Sequence, residues 1–173
     1  EGDKTLYATM KTAIPLERMT VGEFKNDSNY VPHGKQYVYA KNLSSNSSYV
    51  YVQKSQYGLV YSNLAQLVVN VKNKKITGYY QTYLTDLSSV RELQATISPL
   101  RAVTNLYTTR ELADNSRVMQ VKLGYTKLTE VRGSVIFVPT WLVWIENKSS
   151  KSSSLKRVNA FSGQLLQNST LDD

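Results

Sequence analysis

Few residues in this chain could carry chemistry, and they are scattered. His33 is the only histidine, set in the loop Pro32-His33-Gly34, and there is no cysteine. A histidine-based metal site needs further ligands that the sequence does not supply. His33 therefore reads as an exposed loop residue, with pH sensing as the functional alternative. Serine is abundant, yet there is no Gly-x-Ser-x-Gly elbow, and any Ser triad would have to recruit His33. The carboxylates Asp86, Glu92, Glu111 and Glu130 are spread along the chain, so only tertiary folding could pair two of them for glycoside cleavage. Each reads as a solvated surface charge. The eight glycines are dispersed and none opens a phosphate loop. No catalytic, metal or cofactor-binding residue is assigned, no cofactor is expected, and the expectation is a chain that is not an enzyme. A hydrolase assembled from scattered Ser and carboxylates is motivated only by their abundance.

Two other residue sets could carry binding. Lys72, Lys74 and Lys75 form one basic group, and Lys148, Lys151, Lys156 and Arg157 a second, both expected in hairpin turns. Clustered ammonium groups attract anionic polymers or lipid head groups by releasing counterions; the plainer reading is solubilising turn lysines. Nucleic acid would also require aromatic platforms beside the charges, which the second group lacks, so no nucleic-acid partner is expected. Trp141 and Trp144 are three apart in an expected strand and so point to opposite faces. Both pack in the core, or one is an exposed anchor for a protein partner. Asn-x-Ser/Thr triplets at Asn26, Asn42, Asn46, Asn147 and Asn168 would matter only in a secreted eukaryotic protein.

The chain has 173 residues, 41% of them hydrophobic, enough for one domain with a real core. Its formal charge of +8 favours anionic surroundings. The absence of cysteine excludes a disulfide framework and a cysteine nucleophile. Thirteen tyrosines against three phenylalanines suit strand faces whose rings reach water. The longest apolar stretch, Val135 to Ile145, is interrupted by Pro139 and falls well short of the ~20 residues a spanning helix needs. The first residue is Glu1 rather than Met, which leaves room for an anchor or signal segment upstream.

Residues 1–36 read as a loosely structured lead-in in which only Leu6 to Ile14 could form a short helix. Strands are expected at Tyr37–Tyr39 and Tyr49–Val52 around a polar loop. A hairpin is expected from Ala65–Val71 and Ile76–Leu84, with Tyr79, Gln81 and Tyr83 on one face. Ser98 and Pro99 are start signals for a helix of about three turns, with Leu100, Val103 and Tyr107 on its apolar face. Met119, Val121 and Leu123 share a strand face, and Gly124 should end that strand. Val135–Ile145 is a central strand in which Pro139 predicts a bulge or an edge. Asn147–Ser154 is a hairpin loop, and a last strand from Leu155 turns at Ser162-Gly163 into Gln164-Leu165-Leu166. The fold class is α+β, antiparallel β-sheets with one short helix, in two packed lobes meeting near residue 87 (1–87 and 88–173), and not a parallel nucleotide-binding sheet.

From about residue 79 onward, an ordered set of short motifs resembles the extracytoplasmic domain of the YycI/YycH family, with YycI the closer match. These proteins are membrane-anchored regulators of the WalK/WalR (YycG/YycF) two-component system of Gram-positive bacteria. The motifs are Gln81-Thr82-Tyr83, Arg91-Glu92, Ser98 with Ala102 and Leu106-Tyr107, Leu123-Gly124-Tyr125, Pro139-Thr140-Trp141, and Val158-Asn159-Ala160-Phe161-Ser162-Gly163. In the first half only Gly34-Lys35-Gln36-Tyr37 looks similar. The resemblance implies a single regulatory domain, residues 1–173, on the outer face of the membrane, held by an N-terminal transmembrane helix that lies outside this sequence. It further implies contacts with a YycH-type regulator and a WalK/YycG-type sensor kinase. It transfers no active-site residue, and the partner-binding residues stay unknown. The alternative function is a cell-surface module for an anionic ligand such as a wall polymer.

Overall fold

The computed structural model describes residues 5–90, 92 and 94–167. Arg91 and Asn168, singled out above, lie outside the described residues. The chain separates into two compact units, Glu1–Ser88 and Ser89–Asp173.

The first unit contains β1 (Thr5–Pro15), α1 (Val21–Asn26), β2 (Tyr37–Tyr39), β3 (Ser48–Lys54), β4 (Leu59–Val60), β5 (Gln66–Lys72) and β6 (Lys75–Thr82). Its strands run in the order β1-β6-β5-β3-β4, with β2 also on β3, and the pairings are antiparallel. The β5–β6 turn works because Asn73 and Lys74 both accept positive φ, 51° and 56°, the geometry whose twist matches that of paired strands. The expected pairing of residues 37–39 with the strand after the polar loop is present, Tyr37 opposite Gln53 and Tyr39 opposite Tyr51.

The lead-in is not loose, and Leu6 to Ile14 is strand rather than helix. Its alternation is genuine at Leu6, Ala8 and Met10, but the register against β6 shifts between Thr9 and Ile14, and that irregularity hides the period of two. Next comes α1, which begins with a reciprocal cap. The Thr20 Oγ1 accepts the Glu23 N–H at 3.2 Å, and the Glu23 carboxylate accepts the Thr20 N–H at 2.8 Å. The bonds that the carboxylate accepts, first from the Thr20 N–H and then from the Thr20 hydroxyl at 2.8 Å, hold the Glu23 carboxyl below its usual range. Thr20→Ala should cost about 1 kcal/mol of stability in a urea titration, with the m-value unchanged.

Helix α1 carries Phe24, fully buried, onto Tyr30 and Tyr79, with ring centroids 5.1 and 5.9 Å away. Around it pack Val21, Val31, Tyr37, Tyr51, Leu67, Val69 and Ile76. Tyr79, Gln81 and Tyr83 do share a face, and all three fasten the 30–36 segment to the sheet. The Tyr79 hydroxyl donates to Tyr30 O at 2.6 Å, the Gln81 amide to Pro32 O at 2.5 Å, and the Tyr83 hydroxyl to the Gln36 amide oxygen.

The second unit contains α2 (Pro99–Thr108), β7 (Ser116–Val131), β8 (Ser134–Asn147), β9 (Ser153–Asn159) and β10 (Leu165–Leu166), the strands antiparallel in that order. The helix has the expected length, and the Ser98 hydroxyl accepts the Arg101 N–H at 3.2 Å with Pro99 in the first turn. Strand β7 does not stop at Gly124, which is buried opposite Thr140 in an unbroken ladder; it runs on to a tight turn at Arg132 (φ 51°) and Gly133 (φ 78°). Pro139 makes no bulge, since the register shifts fall between Val118 and Gln120 and between Lys127 and Thr129. Its carbonyl accepts the Ala160 N–H, so the side that lacks a donor faces β9, whose ladder begins only at Thr140. It is a local edge within a central strand. The terminal turn follows its residues: Asn159 Oδ1 accepts the N–H groups of Phe161 and Ser162, and Gly163 takes φ 75°.

Candidate functional site

The carboxylates are not brought together. Glu111 pairs with Lys156 at 2.9 Å and Glu130 with Lys127 at 3.7 Å, while Glu92 is exposed in the segment before α2. Asp86 is the only carboxylate lining a shallow depression of about 380 Å³ that also holds Gln36, Gln53, Lys54 and Tyr83. Gln53 is already committed there, its amide donating to Leu84 O and accepting from Leu84 N, each at 2.9 Å. Among the described residues no group of three or more His, Asp or Glu could hold a metal ion. His33 is exposed, in the left-handed region at φ 55°, its ring stacked on Tyr83 at 4.4 Å and 7°.

The two basic groups differ. Lys72, Lys74 and Lys75 are exposed around the β5–β6 turn, as expected, and no ion pair among the described residues engages them. In the second group only Lys148 and Lys151 belong to a turn; Lys156 and Arg157 lie on β9, inside the strand expected from Leu155, which in fact begins two residues earlier at Ser153. Lys156 is held by Glu111, Lys151 approaches Glu146 at 4.0 Å, and Arg157 is buried, donating to Gln167 O at 2.8 Å. Burial pushes the Arg157 pKa down. That group is structural.

Neither tryptophan is an exposed anchor. Trp144 is buried, and Trp141, on the opposite face, packs under α2 with its indole N–H donating to Ile97 O at 2.9 Å. The exposed apolar surface lies above it. Helix α2 buries Ala102 and Leu106 against Val143, Ile145 and Val158, with Val103 at the margin. Leu100 and Tyr107, expected inside, are 74% and 68% exposed. The small Ala102 lets the helix sit close to the sheet, so the Ala102–Leu106 pair, four apart, sets the buried face and rotates the Leu100–Tyr107 row outward.

The direction of that row follows from the helix. On one flank the Asn105 amide donates to Gly163 O at 2.9 Å, on the β9–β10 side. At about 100° per residue, Val103 lies on the opposite flank, and Tyr107 and Leu100 turn further from the sheet towards solvent. Opposed residues of paired strands share a face, so the partners of Trp141, Val143 and Ile145, namely Leu123, Val121 and Val118, lie beneath α2. Val121 joins the core and Val118 and Leu123 stay exposed. The irregularity at Met119 lifts that residue out of the alternation with Val121 and Leu123. The result is an exposed apolar row, Leu100 and Tyr107, on α2, with Val118 and Leu123 exposed on the strand face that α2 packs against. Sequence reasoning named Leu100, Val103, Tyr107 and Leu123 but placed them on buried faces, and it did not single out Val118.

Compared with known families, residues 1–161 match the YycI protein family. The chain belongs to the YycI family. Membership makes it a regulatory protein associated with the YycG/WalK two-component system, a family not known for enzymes. Among solved structures, this YycI-family chain is similar to the Bacillus megaterium YpeB C-terminal domain, with a TM-score of 0.52 and 16% identity over 92% of this chain and 69% of that one. It is also similar to an uncharacterized protein from Eubacterium rectale ATCC 33656, with a TM-score of 0.52 and 15% identity over 74% of this chain and 45% of that one. At such identities the likeness is one of fold. No curated protein matches the sequence. Among the described residues no helix is long and apolar enough to cross a membrane.

Proposed function

We propose that this chain is a non-enzymatic regulator that acts on the YycG/WalK sensor kinase through protein contacts outside the cytoplasm, as a single extracytoplasmic domain. An N-terminal transmembrane helix outside this sequence would hold it at the membrane of a Gram-positive cell, beside a YycH-type partner. Family membership supports the role, and the observation that carries the mode of action is the apolar surface left exposed in the second unit. Leu100 and Tyr107 are exposed on α2, and Val118 and Leu123 on the strand face that α2 packs against. Apolar side chains left in water at one place are what a protein contact buries. Regulation then follows from differential binding: the contact shifts the kinase only as far as it prefers one of the kinase's two states.

The test is size-exclusion chromatography with light scattering of this chain mixed with a YycH-type ectodomain. A defined complex is expected, and Leu100→Glu combined with Tyr107→Glu should weaken it about tenfold or more while leaving the far-UV spectrum unchanged. Retention of full affinity by that variant would remove the exposed α2 row from the interface. A second reading, a module for an anionic polymer, rests on the unpaired Lys72, Lys74 and Lys75 turn. It requires polymer binding that collapses with salt and with Ala at those three positions.

A further inference from the structure

Strand β1 is the outermost strand of the first unit's sheet among the described residues, paired with β6 on one side only. Edge strands are normally blunted by charge, proline or bulges because their unpaired N–H and C=O groups invite another strand. Here every such device lies in the second half of β1. Lys11 is exposed, the register shift falls between Thr9 and Ile14, and Pro15 closes the strand. The first half, Thr5 to Thr9, is uncharged, free of proline and in regular register with β6, Thr5 opposite Thr82 through Thr9 opposite Gly78. At its centre Tyr7 is 77% exposed and braced against the Tyr80 ring at 5.8 Å and 23°. Leu6 is exposed beside it, while Ala8 and Met10 reach the core.

We propose that Thr5–Thr9 is a self-association edge, pairing antiparallel with the same stretch of a second copy of this chain about a two-fold axis at Tyr7. The charge pattern selects this occupant. In that register the overlap contains only Thr5 against Thr9, Leu6 against Ala8 and Tyr7 against itself, and the two Lys11 side chains lie outside it, so no like charges meet. Thr–Thr and aromatic cross-strand pairs are favourable in that arrangement. The closed two-fold contact would join two β1-β6-β5-β3 sheets into one and leave neither edge bare. It uses none of the exposed apolar residues of the second unit.

The experiment is sedimentation equilibrium of the chain alone at rising concentration. The expected mass climbs from 19.6 kDa towards twice that value, and Tyr7→Lys, which sets two ammonium groups against each other at the axis, should weaken association about tenfold or more. Because the chain contains no cysteine, single thiols report the register. Directly opposed strand residues have Cα atoms about 5 Å apart, within disulfide reach. Tyr7→Cys should therefore cross-link on mild oxidation far faster than Leu6→Cys or the remote Ser149→Cys. A mass fixed at 19.6 kDa at all concentrations, or cross-linking of Tyr7→Cys at the Ser149→Cys rate, would overturn the proposal. Faster cross-linking from Leu6→Cys would overturn the register. Loss of the dimer in Leu100→Glu/Tyr107→Glu with no loss in Tyr7→Lys would show that copies associate through α2 instead.

Discussion

Gly34→Ala should destabilise the first unit by about 3 kcal/mol, near the upper end of what overpacking costs. A Cβ at Gly34 would lie 1.7 Å from the Lys25 carbonyl oxygen and 2.9 Å from its carbonyl carbon, and backbone cannot swing aside as a side-chain tip can. The contact matters because the last turn of α1 rests there on the turn at Gly34–Gln36, and the same junction carries the Lys25 ammonium donating to Tyr37 O at 2.8 Å. Pushing the two segments apart exposes Phe24 and loosens Tyr37, whose hydroxyl donates to Thr82 O on the sheet. Gly22→Ala is the matched control. It is in the first turn of the same helix, its Cβ would meet nothing within 4 Å, and it should be neutral or stabilising by up to about 1 kcal/mol. Urea midpoints for the two variants decide the point; equal midpoints would mean that α1 and the Gly34 turn can separate at no cost.

The same residue shows what the sequence disclosed and what it concealed. Gly34-Lys35-Gln36-Tyr37 was recognisable as a motif, but the reason for its glycine, a carbonyl from nine residues earlier, is a tertiary contact that no local pattern records. Regular alternation made the β5–β6 hairpin readable, and Ser98-Pro99 made the start of α2 readable. Strand β1 was lost because an irregularity after Thr9 breaks its period, and β7 was cut short because a glycine inside a long strand looks like a terminus. The Thr20/Glu23 capping box was in plain view and went unread; its spacing alone could have placed α1. The exposed apolar row of α2 is hidden for a different reason. Helical spacing groups Leu100, Val103 and Tyr107 correctly but does not say which of two apolar rows faces the sheet, and the small Ala102 decides that through close approach.

Stability should fall steeply above pH 10, and buried tyrosines set the sign. Burial pushes the phenols of Tyr37, Tyr51, Tyr61 and Tyr79 up, that of Tyr51 to about 12, helped by Tyr39 and Tyr49 nearby. An unfolded phenol titrates near 10. Between that value and its raised folded value each tyrosine stays protonated when folded and loses its proton when unfolded, so stability is fully present below pH 10 and drains away as pH rises. Tyr51 alone should account for about 2 kcal/mol by pH 12 once solvent screening is allowed for. Lys25 opposes this, since burial lowers its pKa and the folded state sheds that proton first, gaining stability as pH approaches the usual lysine value. One lysine stands against four phenols, so the net slope is downward. Urea titrations from about pH 9 to about pH 12 should show it, and the tyrosinate absorbance due to Tyr51, taken as the difference between the unmodified chain and Tyr51→Phe, should rise in step with unfolding rather than before it. Tyr51→Phe should flatten the curve by Tyr51's share. A stability that held level or rose across this window would mean that water reaches the phenols in the folded unit, and the packing of Tyr37 and Tyr51 around α1 would have to be redrawn. At neutral pH every one of these phenols is protonated in both states, so none of them can act as a pH sensor there.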